Sequence, residues 1–271
     1  MRYTIDHDLH IHSHISLCSN IPEQNPVTIL EYAKKNHLAH ICLTDHFWDE
    51  KVPLTCPFDF YEVQNFEHIS QALPLPQAEG VQFHFGCETD MDKHGRIGIT
   101  PETLEKVEFV IVPTTHMHMN GFTIDPVDFS LERRAALYIQ RFQALLDADL
   151  PAHKTGIAHL TCGLMAPDKH EDHLLLLDSL SDSVFEKLFD RAAKKGFGIE
   201  LNMDLSRYTE EELETILRPY RLAKKCGCTF YLGCDAHHPQ DFVGAIDNFD
   251  RIITLLELEE SDKFRPFSTE A

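Results

Sequence analysis

Short apolar or β-branched runs recur at residues 3–9, 39–44, 81–87, 108–113, 156–161, 197–202 and 229–234, mostly separated by longer segments with helical spacing. This alternation constrains the fold more than any other feature. Strands joined through helices run parallel, so the pattern predicts an α/β fold on a seven-stranded, mostly parallel sheet. The helices show in the apolar spacing. Leu131, Ala135, Tyr138, Phe142 and Leu145 form one stripe, and Phe242, Ala245, Ile246, Phe249, Ile252, Ile253 and Leu256 form another. Ser181–Lys195 gives a third helix, and Thr209 with Glu212 reads as a capping box opening a fourth. Two connections are long, 47–80 around an expected helix at 59–72, and 162–180; both are expected to be binding loops or lids. No linker interrupts the pattern, so residues 1–271 are expected to be one domain.

Each run ends in polar, mostly metal-capable residues. They are His10 and His12 after the first, Asp45 and His46 after the second, Glu88 after the third and His116 after the fourth. His159 belongs to the fifth, Glu200 and Asn202 to the sixth, and Asp235 and His237 to the seventh. In a closed β/α barrel the C-terminal strand ends share one face, where active sites sit; an open sheet would spread them along a crevice. Seven strands delivering polar groups to one point favour the barrel. His10 and His12, at i and i+2 on an extended segment, point the same way, as two ligands of one ion would. Imidazole and carboxylate together suit Zn, Mn or Fe. His10, His12, His46, His116, His159 and His237 with Glu88 and Asp235 exceed the needs of one four-coordinate ion, so two or three divalent ions are expected.

Most of the other histidines among the 18 have no convergent partners in the pattern and read as ordinary surface or core residues. His14 and His118 each lie two residues beyond a strong candidate and stay open. A formal charge of −20, from 24 basic and 44 acidic side chains, argues against an extended nucleic-acid or anionic-membrane surface. No apolar run reaches the length of a transmembrane helix, and the N-terminus has no apolar signal stretch. With eight scattered cysteines and no such signal, reduced thiols in the cytoplasm are expected.

The segments Asp8–Ser13, Leu43–His46, Gly86–Glu88, Thr115–His116, Ile157–His159, Glu200–Asn202 and Gly233–His237, in this order, resemble the PHP family. This is the polymerase and histidinol phosphatase superfamily of metal-dependent phosphoesterases, and the resemblance spans about residues 3–240. It implies a distorted seven-stranded (β/α)7 TIM-like barrel with its metal site at the C-terminal strand ends. It also implies up to three ions. One would take His10, His12, Glu88 and Asp235, and a second Glu88 as bridge with His116 and His159. A third would take His46 and His237 with a ligand from the loop after His12. Many members place a histidine six residues after the second histidine of the HxH pair, where this chain has Cys18. Cys18, His14 or a water are the open choices. Histidinol-phosphatase-like members carry an arginine soon after the sixth strand, and Arg207 stands at the matching distance as a phosphate clamp. The glycine usual in that turn is replaced by Met203-Asp204-Leu205-Ser206.

The expected activity is therefore hydrolysis of a small-molecule phosphate monoester, histidinol phosphate being one candidate, by a metal-bridging hydroxide. Arg207 and Asn202 are expected to contact substrate, Asp8 to orient the HxH segment, and Asp45, His237 or a metal-bound water to protonate the leaving group. The alternatives are a metal-dependent hydrolase of a phosphodiester or cyclic amide, and a non-catalytic metal-binding regulatory protein.

Overall fold

The computed structural model describes residues 1–267. Its strands are β1 (His7–Ile11), β2 (His40–Leu43), β3 (His46–Phe47), β4 (Gln82–Thr89), β5 (Phe109–Pro113), β6 (Thr155–Ala158), β7 (Gly198–Leu201) and β8 (Thr229–Leu232). All pairings are parallel, in the order β1-β2-β4-β5-β6-β7-β8, and the two-residue β3 pairs with β4. The ring closes between the ends of β8 and β1. There Asp235 N–H donates to the His10 carbonyl at 2.7 Å and His12 N–H to the Ala236 carbonyl at 3.0 Å. The seven principal strands thus form the parallel sheet that the alternation predicts, closed into the distorted (β/α)7 barrel that the strand-end residues favour and the resemblance implies.

The helices are α1 (Pro26–Lys35), α2 (Asp59–Val63), α3 (Phe66–Ile69), α4 (Pro101–Leu104), α5 (Leu131–Asp147), α6 (His170–Ser179), α7 (Asp182–Lys195), α8 (Glu210–Lys225) and α9 (Ala245–Leu255). The capping box forms as expected, Thr209 accepting from Glu212 N–H while Glu212 reaches back to Thr209 N–H. Three expectations shift. The first strand lies later than 3–9, because Tyr3 instead gives its N–H to the Leu258 carbonyl and the ladder begins at His7. The helix expected at 59–72 breaks into α2, α3 and a 3-10 turn, since Asn65 caps a fresh start by accepting from His68 N–H. The connection 162–180 contains α6, whose unbroken Leu174–Leu177 run hides its helical period.

Inside the barrel, Leu9, Cys42, Phe109, Ile111, Ala158 and Tyr231 pack with Phe264 from the C-terminal segment. Phe264 reaches the start of β7 because residue 198 is glycine; a Cβ there would lie 2.5 Å from its ring. The larger apolar core lies between strands and helices. A third cluster of Trp48, Tyr61, Met119 and Phe122, with Phe58 and Phe60 against it, anchors the 47–80 connection. No helix among the described residues is long and apolar enough to cross a membrane.

Candidate metal centre

The register between β1 and β2 slips between Asp8 and Ile11. Leu9 therefore joins the barrel interior while His10 and His12 both face the donor cluster at the barrel's C-terminal end. Asp8 underlies this arrangement. Its carboxylate accepts from the backbone N–H of Cys234 at 3.0 Å and from the Tyr32 hydroxyl at 3.0 Å, tying β1 to the end of β8. Burial raises its pKa to about 6, against the lowering effect of those donors.

Glu88, at the end of β4, is the hub. Its Oε2 lies 3.5 Å from His10 Nε2, 3.4 Å from His12 Nε2 and 3.0 Å from His46 Nδ1. Its Oε1 lies 3.4 Å from His159 Nε2 and 3.9 Å from His116 Nε2. Asp235 Oδ1 is 3.0 Å from His12 Nε2 and 3.3 Å from His10 Nε2, and those two nitrogens are 3.0 Å apart. Donors about 2.0–2.1 Å from a tetrahedral zinc ion lie roughly 3.3 Å apart, so the His10–His12–Asp235 triangle is of the right size. Among the described residues, three donor groups meet that chemistry: His10, His12 and Asp235; His10, Glu88 and His159; and His12, Cys18, His46 and His237. Buried atoms of His46 (Nδ1), Glu88 (Oε1), His159 (Nε2) and Asp235 (Oδ1) find no hydrogen-bond partner among the described residues. Four orphaned polar atoms in one place cost stability unless a cation completes them, so the residues fit divalent metal.

Two ligand candidates sit on left-handed backbone, His159 at φ 59° and Asp235 at φ 54°. Non-glycine residues rarely adopt this conformation; His159 directly follows β6, and Asp235 lies three residues beyond β8. Glu200 secures the first, accepting from His159 N–H at 3.1 Å, while its other oxygen accepts from His10 Nδ1 at 2.5 Å. Gly233 makes room, since a Cβ there would stand 2.5 Å from Glu200 Oε1 and 2.6 Å from His10 Cβ.

The ring nitrogens turned away from the donor cluster have partners. His12 Nδ1 faces Ser16 Oγ at 3.3 Å, His159 Nδ1 faces the Asn202 amide at 3.2 Å, and His116 Nδ1 meets Asp90 at 2.8 Å. Where Nδ1 donates, as to the Asp90 carboxylate or the Ser16 hydroxyl, a neutral ring leaves Nε2 bare for a metal. His159 Nδ1 instead accepts from the Asn202 amide, and that bond holds its ring in place. Burial alone would depress both His10 and His159, but Glu200, Asp235 and Glu88 raise His10, and Cys162 with Glu88, Asp235 and Glu200 raises His159, each well above the usual imidazole range. Despite burial, His46, His10 and His12 hold Glu88 well below the usual carboxylate range, and His10, His12, His159 and His237 do the same for Asp235. His237 lies at the edge of the cluster, donating through Nδ1 to the Asp235 carbonyl at 2.8 Å. Burial and the nearby His12 lower its pKa to about 4.

The other sequence candidates separate. Cys18 Sγ joins the third group, whereas His14 is exposed and outside all three. His118 is exposed, its ring 5.3 Å from that of His116. Asp45 does not open onto substrate space: Ser13 N–H and both the Ser13 and Ser16 hydroxyls occupy its carboxylate at 2.6, 2.8 and 3.0 Å. Beside the donors runs a cleft of about 730 Å³, lined by His159, Asn202, Arg207, Tyr208, Asp235 and His237 among others. Arg207 lies on its wall, 76 % exposed and paired with Asp204 at 3.0 Å. Glu200, Asp90 and Ser16 carry roles that the sequence reading assigned to no residue. The spacing of Glu88 and Asp90, i and i+2 leaving one strand, was the available signal for Asp90.

Among known protein families, the PHP domain model matches residues 8–204. No curated protein sequence matches significantly. Among solved structures, a histidinol phosphate phosphatase from Lactococcus lactis, complexed with zinc, L-histidinol and phosphate, is similar. It has 18% identity and a TM-score of 0.63 over 96% of this chain and 99% of that one. A Xanthomonas albilineans dihydropteroate synthase aligns over 92% of this chain and 94% of that one, with 12% identity and a TM-score of 0.39.

Proposed function

The chain belongs to the PHP domain family, and from that premise we propose that it is a metal-dependent phosphoesterase that hydrolyses a small-molecule phosphate monoester. The observation that carries the reading is Glu88, a single buried carboxylate ringed by the nitrogens of His10, His12, His46, His116 and His159. A polar cleft opens beside it. In the reading, His10, His12, Glu88 and Asp235 hold one ion, Glu88, His116 and His159 a second, and His46, His237 and Cys18 a third. Zinc, manganese or iron suits these donors, and bound there would supply Lewis-acid charge for phosphoryl oxygens and activate water for attack.

The chain's own residues do the rest. Arg207 exchanges its exposed pairing with Asp204 for a phosphoryl oxygen. Exposed pairs are worth little, so the exchange is cheap. Asn202 keeps the His159 ring in place at the cleft floor. Asp45 holds the loop after the HxH pair by its bonds to Ser13 and Ser16. With Asp45 so engaged and burial and His12 favouring the neutral form of His237, the leaving oxygen takes its proton from water entering the cleft. Histidinol phosphate is a candidate substrate, supported by the ligands of the similar lactococcal structure. The whole chain acts as one barrel domain in a reducing cytoplasm, without nucleic acid, which the −20 charge disfavours.

The test is phosphate release from a panel of monoesters, diesters and cyclic amides with manganese or zinc added. Monoester turnover that falls on the order of 100-fold or more in Glu88→Gln and Asp235→Asn is expected. Turnover confined to diesters or amides, or unchanged in both variants, overturns the reading.

A further inference from the structure

We infer that Arg141 and Asp90 are positioning residues that lock His116 in the tautomer whose Nε2 serves an ion beside Glu88, an inference resting on the metal reading above. Arg141 projects from α5, and its side chain is 1% exposed; that of Asp90 is 0% exposed. The guanidinium donates to the Thr114 carbonyl at 3.1 Å, the Met91 carbonyl at 2.8 Å, the Pro113 carbonyl at 3.4 Å and Asp90 Oδ1 at 3.1 Å. One side chain thus straps together the segments leaving β4 and β5, which carry Glu88 and His116.

Asp90 passes the constraint on. Its Oδ1 accepts from Arg141 and from Met91 N–H at 2.6 Å, and its Oδ2 from His116 Nδ1 at 2.8 Å and the Tyr61 hydroxyl at 3.2 Å. The carboxylate offers only acceptors, so His116 must carry a proton on Nδ1, and the neutral ring then turns a bare Nε2 toward Glu88. Fold stability is a poor reason for the pair, because an apolar replacement of a buried ion pair is often neutral or stabilising. What the ion pair adds is a charged acceptor held in a fixed place, and here that acceptor meets a ligand candidate. Tyr61, on the 47–80 connection, joins the same carboxylate, so the connection that covers this rim shares the ligand's anchor.

The test reads the metal-free, full-length protein labelled with nitrogen-15 at histidine, then titrated with zinc against a chelator. Wild type is expected to show His116 as the Nδ1–H tautomer. Asp90→Asn is expected to mix the tautomers, because an amide donates as well as accepts, and to weaken one zinc equivalent roughly 10- to 100-fold. Tyr61→Phe, which changes no charge, is expected to fold and weaken the same equivalent by a few-fold; it carries the affinity test should Asp90→Asn fail to fold. An Nε2–H tautomer in wild type, or zinc affinity unchanged in Tyr61→Phe and in any folded Asp90→Asn, overturns the inference. No arm reads phosphate release, so an error in substrate class leaves the test intact. Wild-type protein with the expected tautomer but no zinc binding overturns the metal reading instead.

Discussion

Cys18 stands where the resemblance calls for histidine, and the structure brings its Sγ within 4.8 Å of donor atoms of His12, His46 and His237. Burial, Glu88, Asp235 and Asp45 push its thiol pKa up, so it stays protonated until a cation offsets those carboxylates. Cobalt-loaded protein should therefore show a thiolate-to-metal charge-transfer band. Cys18→Ser should lose the band and one metal equivalent; Cys18→His should lose the band and keep the equivalent. An unchanged spectrum in Cys18→Ser would remove Cys18 from the site. At this scale the direct donor candidates were legible because each occupies a strand end, a position that sequence alternation marks. Their supports were not. His10 meets Glu200 across 190 residues, and Asp90 meets Arg141 across 51, so only the closed barrel makes them neighbours.

Strands β1, β7 and β8 meet where Gly233, Glu200 and His10 touch, and here fold and site depend on the same contact. Gly233→Ala puts a methyl 2.5 Å from Glu200 Oε1, so the strand ends must part or the Glu200–His10 bond must break. A loss of about 1–3 kcal/mol in stability, with weakened zinc binding, is expected. Asn25→Ala is the contrast. It removes the cap that accepts from Val27 and Thr28 N–H at the start of α1 and should cost about 1 kcal/mol with zinc affinity intact. Denaturant melts paired with zinc titration separate the two, and equal zinc affinity in both variants would defeat the claim that Gly233 serves the site. Elements with a clean period were readable in the same way, as α5, α7 and α9 show. The all-leucine turn of α6 and the Asn65 restart were not, since neither a solid apolar run nor a mid-segment cap leaves a period to read.

Across the whole molecule, 44 acidic against 24 basic side chains make the surface hostile to anions, while the barrel mouth concentrates imidazoles around buried carboxylates. This contrast makes stability depend on pH and metal together. In metal-free protein, burial disfavours charge on His10, but Glu200, Asp235 and Glu88 outweigh it and keep its pKa raised; His159 is raised likewise. Groups with raised folded pKa values contribute stability fully below their unfolded value of about 6.5, and lose it as pH climbs through the folded values. The protons that stand in for the ions then leave, and Glu88, Asp235 and Glu200 face one another without compensation. Bound divalent ions keep the compensation and compete best when the protons are gone. Metal at 1,000 times its dissociation constant adds about 4 kcal/mol, on the order of 10 °C in melting temperature for a chain of this size. The gap between zinc-loaded and metal-free melting temperatures should therefore widen from about pH 6 to about pH 8.5, through loss on the metal-free side as well as gain on the loaded side. Calorimetric melts with zinc and with chelator across that range measure both curves. A gap that stays flat or narrows would show that the buried imidazoles and carboxylates are not exchanging protons for metal.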